Sequence, residues 1–168
     1  SGLNASLNGS DTITNFEIDD IHDFSNLLNA GTIVNLSGSI IMLASTTVLS
    51  TESTPIAVSD ETVYIAEVGA KTDIETVAKV VTALTDGGAL DAVDFAANAD
   101  AVIVLGGAND DTMQYIYGID NDSNAALVAD EITLLSTVTT NIANGIQGLL
   151  ESNFSFLNPG NNADNTIN

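Results

Sequence analysis

The sequence predicts an α+β domain, mainly antiparallel β-sheet of meander or sandwich type, with one or two short helices. Three observations carry that expectation. Runs rich in apolar and β-branched residues recur at Ala101–Leu105, Met113–Ile119 and Ile132–Thr139, separated by Gly-, Asn- and Asp-rich text. Strands in such close succession favour an antiparallel meander. One stretch, 73–86, sets Ile74, Val77, Val80, Val81 and Leu84 along a single helical face. Hydrophobic residues make up 45% of the chain against 15% charged, enough apolar matter to build a core rather than a disordered polymer.

At 168 residues one domain with a real core is expected. Residues 1–10 lack periodicity and read as a flexible lead-in, 11–157 as the domain, and 158–168 as a polar tail. Within the domain, Asp11–Phe16 alternates polar and apolar residues and reads as a strand. Ile18, Ile21, Phe24, Leu27 and Leu28 then recur at three and four residues, the spacing of a short amphipathic helix or helical turn. Thr32–Leu36 and Ser39–Ala44 read as strands broken at Ser37-Gly38, and 45–55 as a Ser/Thr-rich loop ending at Pro55. Glu61–Val68 is a strand. For the 73–86 helix, Thr72 or Asp73 supplies the N-cap and Gly87-Gly88 the stop. Asp91–Ala97 reads as a short turn or helix, Gly106–Asp111 as a turn, Ile142–Leu150 as a helix weakened by two glycines, and Asn153–Leu157 as a strand.

The charge balance restricts the partners. Twenty-three acidic residues face two lysines and no arginine, for a formal net charge of −21. Such a surface repels nucleic acid and anionic membranes, and repels other copies of itself unless cations intervene. The apolar run Ser39–Ala44 is too short to span a bilayer, so no membrane insertion is expected. The chain has no cysteine, which removes disulfides and thiolate metal sites. No basic N-terminal region or cleavable leader is visible.

The densest chemical signal is the segment Asp120–Glu131. Asp120, Asp122 and Asn124 fall at loop positions 1, 3 and 5, Leu127 at 8 and Glu131 at 12. Those are the places from which one short turn of backbone wraps a calcium ion. Ala126 would add its carbonyl and Glu131 a bidentate carboxylate. Ala125 stands where glycine usually permits a positive φ, and the incoming segment is a strand rather than a helix. The competing reading is a solvated hairpin loop, since Asn and Asp also make turns. One strand earlier, Gly106–Met113 approximates a glycine- and aspartate-rich nonapeptide that binds calcium only when stacked in arrays, with Asp111 at its ligand position. A single copy cannot stack, so the reading it favours is a tight hairpin turn made by ordinary turn formers.

Catalytic chemistry is sparse. His22 is the only histidine and is expected on the wet face of the 18–28 helix. No Gly-x-Ser-x-Gly elbow accompanies it, and no Lys-Ser/Thr follows Gly106-Gly107 to make a phosphate loop. An enzyme built on acidic pairs would need a pocket holding two converging carboxylates. The expectation is a non-enzymatic protein.

Taken with Asp11–Leu28, Thr112–Leu135 and Asn153–Phe156, these fragments make the chain similar to the C-terminal regions of repeats-in-toxin proteins and type I-secreted surface-layer proteins or adhesins. The resemblance implies export without N-terminal cleavage and folding on meeting external calcium. It places candidate ligands at Asp111, Asp120, Asp122, Asn124 and Glu131. The functional expectation is a secreted or cell-surface structural subunit of a surface layer, filament or adhesin. Such a subunit would self-associate into a homopolymer or lattice with calcium between its acidic faces, by strand addition from Ser1–Phe16 or Asn153–Asn168. The alternative is a monomeric calcium-binding export module that terminates a larger type I-secreted protein.

Overall fold

The computed structural model describes residues 10–24, 32–33, 56–58, 62–68, 70–85, 88, 93–95, 98–107, 110–121, 127–143, 145–149 and 153–155. The lead-in 1–9, the expected strand Ser39–Ala44, loop residues 45–55 and the tail lie outside them. The strands are β1 (Asp11–Phe16), β2 (His22–Asp23), β3 (Thr32–Ile33), β4 (Ile56–Val58) and β5 (Thr62–Val68). After helix α1 (Val77–Leu84) come β6 (Val93–Phe95), β7 (Asp100–Gly107), β8 (Asp110–Asp120), β9 (Ile132–Thr140) and β10 (Phe154–Ser155). Short 3-10 turns occupy Lys71–Asp73, Ala129–Glu131 and Gly145–Gly148.

A six-stranded sheet in the order β1-β9-β8-β7-β5-β3 dominates a β-rich α+β fold. Its centre matches the expectation. β7 and β8 pair antiparallel from Asp100↔Asp120 to Gly107↔Asp110, and β8 and β9 from Met113↔Thr139 to Ile119↔Ile132. The flanks do not: β1 runs parallel to β9, β5 parallel to β7 and β3 parallel to β5. The sheet is therefore mixed rather than mainly antiparallel. A parallel pair needs a long crossover, and α1 lies in the chain between β5 and β7. Two further parallel pairs, β2 with β10 and β4 with β6, stand apart from the main sheet. Val93–Phe95 is thus a strand where a turn or helix was expected, because Ile56–Val58 supplies it with a ladder partner.

The central strands alternate between two cores. Tyr64, Ala66, Val68, Ile103, Leu105, Tyr115, Tyr117 and Ile119 join Ile74, Val80, Ala83 and Leu84 on the α1 side. On the other side Val63, Ile65, Val102, Val104, Ile116 and Val138 meet Phe16, Phe24, Phe154, Ile142, Ile146 and Leu149. Burial on both faces explains why β7 is apolar at nearly every position.

On helix α1, Val80 and Leu84 of the expected face are buried and Val77 and Val81 pack partly buried against the same core, joined by Ala83, but the helix begins at Val77 rather than 73. The buried Tyr117 hydroxyl donates to the Ile74 carbonyl at 2.5 Å, drawing that carbonyl out of a helical ladder. Burial also raises the phenol's pKa above its ordinary value, with Tyr115 and Glu75 adding to the effect. Thr76, extended at φ −138°, takes over the cap and accepts the Lys79 N–H through its hydroxyl. Among its described residues, the expected Ile142–Leu150 helix is replaced by the 3-10 turn Gly145–Gly148, whose first residue sits at φ 55°.

Gly107 ends β7 against the first 3-10 turn. A Cβ there would fall 2.5 Å from the Lys71 backbone nitrogen. Gly107→Ala must displace backbone rather than a flexible side chain, so it is expected to lower stability by about 1–3 kcal/mol, read as a shift in the urea midpoint at unchanged slope.

Candidate functional site

The proposed calcium loop leaves the end of β8. Asp120 is the last residue of that strand and is half-buried; Asp122, Asn124 and Ala126 lie outside the described residues. The chain returns at Leu127, half-buried against the α1-side core. Glu131 closes the segment and is 8% exposed. Its carboxylate Oε2 accepts the Val128 N–H at 2.7 Å, which ties the acid to the N-terminal end of its own 3-10 turn. The segment therefore bridges β8 to β9, with Ile119 and Ile132 paired at its base.

Asp111 is separated from this group. It is the second residue of the strand that Asp120 ends. Nine residues of extended chain span about 30 Å, so one ion cannot take both carboxylates. Asp111 belongs instead to the hairpin joining β7 to β8, where Gly107 pairs with Asp110 and the register shifts. Among the described residues no three His, Asp or Glu side chains converge as a metal group. A shallow hollow of about 260 Å³ beside α1 is lined by Asp73, Lys79, Thr82, Ala83 and Gly88. Among the described residues it holds one carboxylate, and Lys79 is engaged by Glu75 at 2.5 Å.

The N-terminal segment makes the second candidate surface. β1 forms one edge of the main sheet, with no strand beyond it among the described residues. Its first five residues are exposed and only Phe16 is buried. Asn15 adopts φ 63°, a left-handed conformation that asparagine tolerates. The β1–β9 register shifts between Ile13 and Phe16. Phe16 is then pinned through its carbonyl, which accepts the Asn141 N–H at 2.9 Å and the Thr140 hydroxyl at 3.1 Å. The Asn141 amide also donates to Asn15 Oδ1 at 2.5 Å.

The helix expected over 18–28 is absent from its described part. Residues 18–19 make a turn and His22–Asp23 make β2. Two local bonds close that turn: Glu17 N–H to Asp20 Oδ2 at 2.8 Å, and Asp20 N–H to the Glu17 carbonyl at 3.1 Å. A short acidic side chain here competes with helical bonding for the backbone. Phe154–Ser155 then provides a parallel strand partner. Ile18 and Ile21, expected to face a core, are 49% and 55% exposed, joining Ile13 at 37%.

His22 moves in the opposite sense. Rather than facing water, it is 4% exposed. Its ring stacks on Phe16 at 4.0 Å with the planes 6° apart, and lies 6.1 Å from Phe24 and 5.8 Å from Phe154. Burial pushes its pKa down to about 4, against the opposing pull of the neighbouring Gln114 amide and the Asp20 carboxylate. Gln114 is fully buried on the same face of the sheet, paired with Val138. Neither its amide atoms nor His22 Nε2 find a well-aligned hydrogen-bond partner. Asn153, also fully buried, clamps this corner by donating from Nδ2 to the Ile18 and Asp20 carbonyls at 2.8 Å each.

Sequence reasoning missed this union of the two ends of the chain. The available signal was the aromatic content of Phe16, Phe24 and Phe154, three of only five phenylalanines. No helix among the described residues is long and apolar enough to cross a membrane. In comparisons with known proteins, no family model, curated protein or solved structure matches this chain.

Proposed function

We propose that this chain is a non-enzymatic extracellular structural subunit that self-associates through a terminal strand, with calcium moderating the repulsion between its acidic faces. The observation that carries this reading is the edge strand β1. Among the described residues it offers a hydrogen-bonding edge with no strand beyond it, beside Ile13, Ile18 and Ile21 and interleaved with exposed Asp11, Glu17, Asp19 and Asp20. An open edge with apolar side chains is a template for pairing with another chain. The charge of −21 opposes that pairing until cations reduce it. The burial of His22 in an aromatic stack favours a structural role for the chain's single imidazole over acid–base catalysis at an open site.

In this reading the Asp120–Glu131 segment holds calcium, with Asp120, Asp122, Asn124 and Glu131 as side-chain ligands and Ala126 through its carbonyl. Calorimetric titration combined with sedimentation is the test. Wild type is expected to bind calcium and sediment as oligomers, and to return to monomer with chelator. Asp122→Asn with Glu131→Gln removes two ligand charges and is expected to weaken calcium binding by about tenfold or more. Unchanged calcium affinity in that variant would reject the loop; association indifferent to chelator at low ionic strength would reject calcium's part in assembly.

A second reading, a monomeric calcium-binding export module of a larger protein, draws on one observation. β10 already adds as a strand to β2 within the same chain, so the terminal segments satisfy one another in a closed molecule. That reading expects a monomer with calcium and with chelator alike.

A further inference from the structure

We propose that Asp11–Phe24 is an exchangeable belt, so that β1, Phe16 and His22 of one molecule occupy the groove beside β9 of the next. The inference rests on the self-assembly reading and goes beyond it by naming both mating surfaces. In the open-edge version β1 stays on its own body and offers its outer edge; here β1 leaves and its inner contacts are remade on a neighbour.

Four features point to the exchange. First, the belt is a discrete insert. Within 11–24 only Phe16, His22 and Phe24 are buried. Its hydrogen bonds to Thr140, Asn141 and Asn153 join residues more than a hundred positions apart. Second, the groove has to be filled. Without the belt, β9 has no outer strand partner among the described residues, and Val138, Ile142 and Phe154 lose their aromatic cover.

Third, the acceptor is uncharged. Ile132–Ala143 contains no acidic or basic residue, whereas the belt carries Asp11, Glu17, Asp19, Asp20 and Asp23 and no lysine or arginine. On a molecule of net charge −21, this strand is a place where a second copy's acidic belt lands without a like charge on the strand it pairs with. Fourth, the tether has reach. By chain length alone, residues 25–31 can span at most about 25 Å between the belt and β3. A domain of this size has a radius of gyration of about 15 Å.

Contacts made within one copy and between copies are the same contacts, so concentration and charge repulsion set the balance. Dilute, low-salt protein keeps its own belt. Concentrated protein with divalent cations exchanges it, and because each molecule both donates and accepts, exchange propagates into a polymer.

The chain has no cysteine, which makes the test clean. Thr12 on β1 is exposed and faces half-buried Thr137 on β9, and neighbouring strands lie within disulfide range. The double variant Thr12→Cys/Thr137→Cys, oxidised while dilute, staples the belt to its own body. It is expected to stay monomeric under calcium conditions that assemble wild type, and to regain assembly on reduction. In a second arm, the separate Thr12→Cys and Thr137→Cys variants are mixed, concentrated with calcium and oxidised. A disulfide-linked heterodimer is expected, its yield rising with concentration. Undiminished assembly of the stapled chain would overturn the exchange while leaving self-assembly standing, as would assembly of the mixture without the heterodimer. Wild type that stays monomeric in calcium at every concentration would overturn both.

Discussion

Phe16→Ala is expected to destabilise the fold by about 3–5 kcal/mol, the range for emptying a buried aromatic site. Phe16 is 3% exposed, stacks on His22 at 4.0 Å and belongs to the core beneath β8 and β9. The cavity would open between the belt and the sheet, and Asn15, held left-handed at φ 63°, would then orient a side chain too small to fill it. Native stabilities of about 5–15 kcal/mol make this a large fraction of the total. Ile13→Ala, three residues earlier and 37% exposed, is the control and is expected to cost about 0.5 kcal/mol or less. Urea unfolding of the two variants checks the pair. Equal effects at 13 and 16 would show that Phe16 does not anchor the belt.

The second large effect is a loss of stability on acidification. His22 sits among Phe16, Phe24 and Phe154, with the Gln114 amide arriving from β8 and the Asp20 carboxylate from the preceding turn. Unfolded, the imidazole protonates at its ordinary 6.5; folded, burial delays protonation to about 4. Between those values the unfolded chain holds a proton that the folded chain lacks. Stability from this residue is therefore complete above about pH 6.5, falls as pH drops towards 4, and changes no further below it. At about 1.4 kcal/mol per pH unit the window corresponds to about 3 kcal/mol. His22→Phe keeps a flat ring in the stack and removes the titration. Comparing wild type with that variant cancels the carboxylates common to both. Wild type is expected to lose that amount of stability relative to the variant between pH 7 and pH 4. Parallel curves across the range would remove His22 as the cause.

The antiparallel centre of the sheet was legible because its cause is local. Ala101–Leu105, Met113–Ile119 and Ile132–Thr139 are each β-branched and apolar, and the text between them is short enough that successive strands become neighbours. The face of α1 was legible for the same reason, since Val80 and Leu84 follow helical spacing. Its start was not, because the Tyr117 hydroxyl that takes the Ile74 carbonyl comes from 43 residues away.

The belt was misread for an instructive reason. Ile18, Ile21 and Phe24 have helical spacing, but their apolar character was assigned to one face when Phe24 goes inward and the two isoleucines remain in water. Helical spacing over so few residues is weak against a competing strand partner, and that partner, Phe154–Ser155, lies at the other end of the chain. Of the candidate ligands, spacing alone grouped Asp120 and Glu131 at the two ends of one segment. It could not show that the strand between Asp111 and Asp120 holds those two apart.

By itself the sequence determined the β-rich α+β class, the three central strands, the inward face of the helix and an acidity that makes counter-ions part of any assembly. Those properties follow from residue type and short-range period. The tertiary structure alone decided the parallel flanks, the edge position of β1, the burial of His22 and the joining of the chain's two ends through Asn153 and Phe154. Each depends on which distant segment supplies a hydrogen-bond partner or an aromatic surface, and a one-dimensional pattern holds no record of that choice.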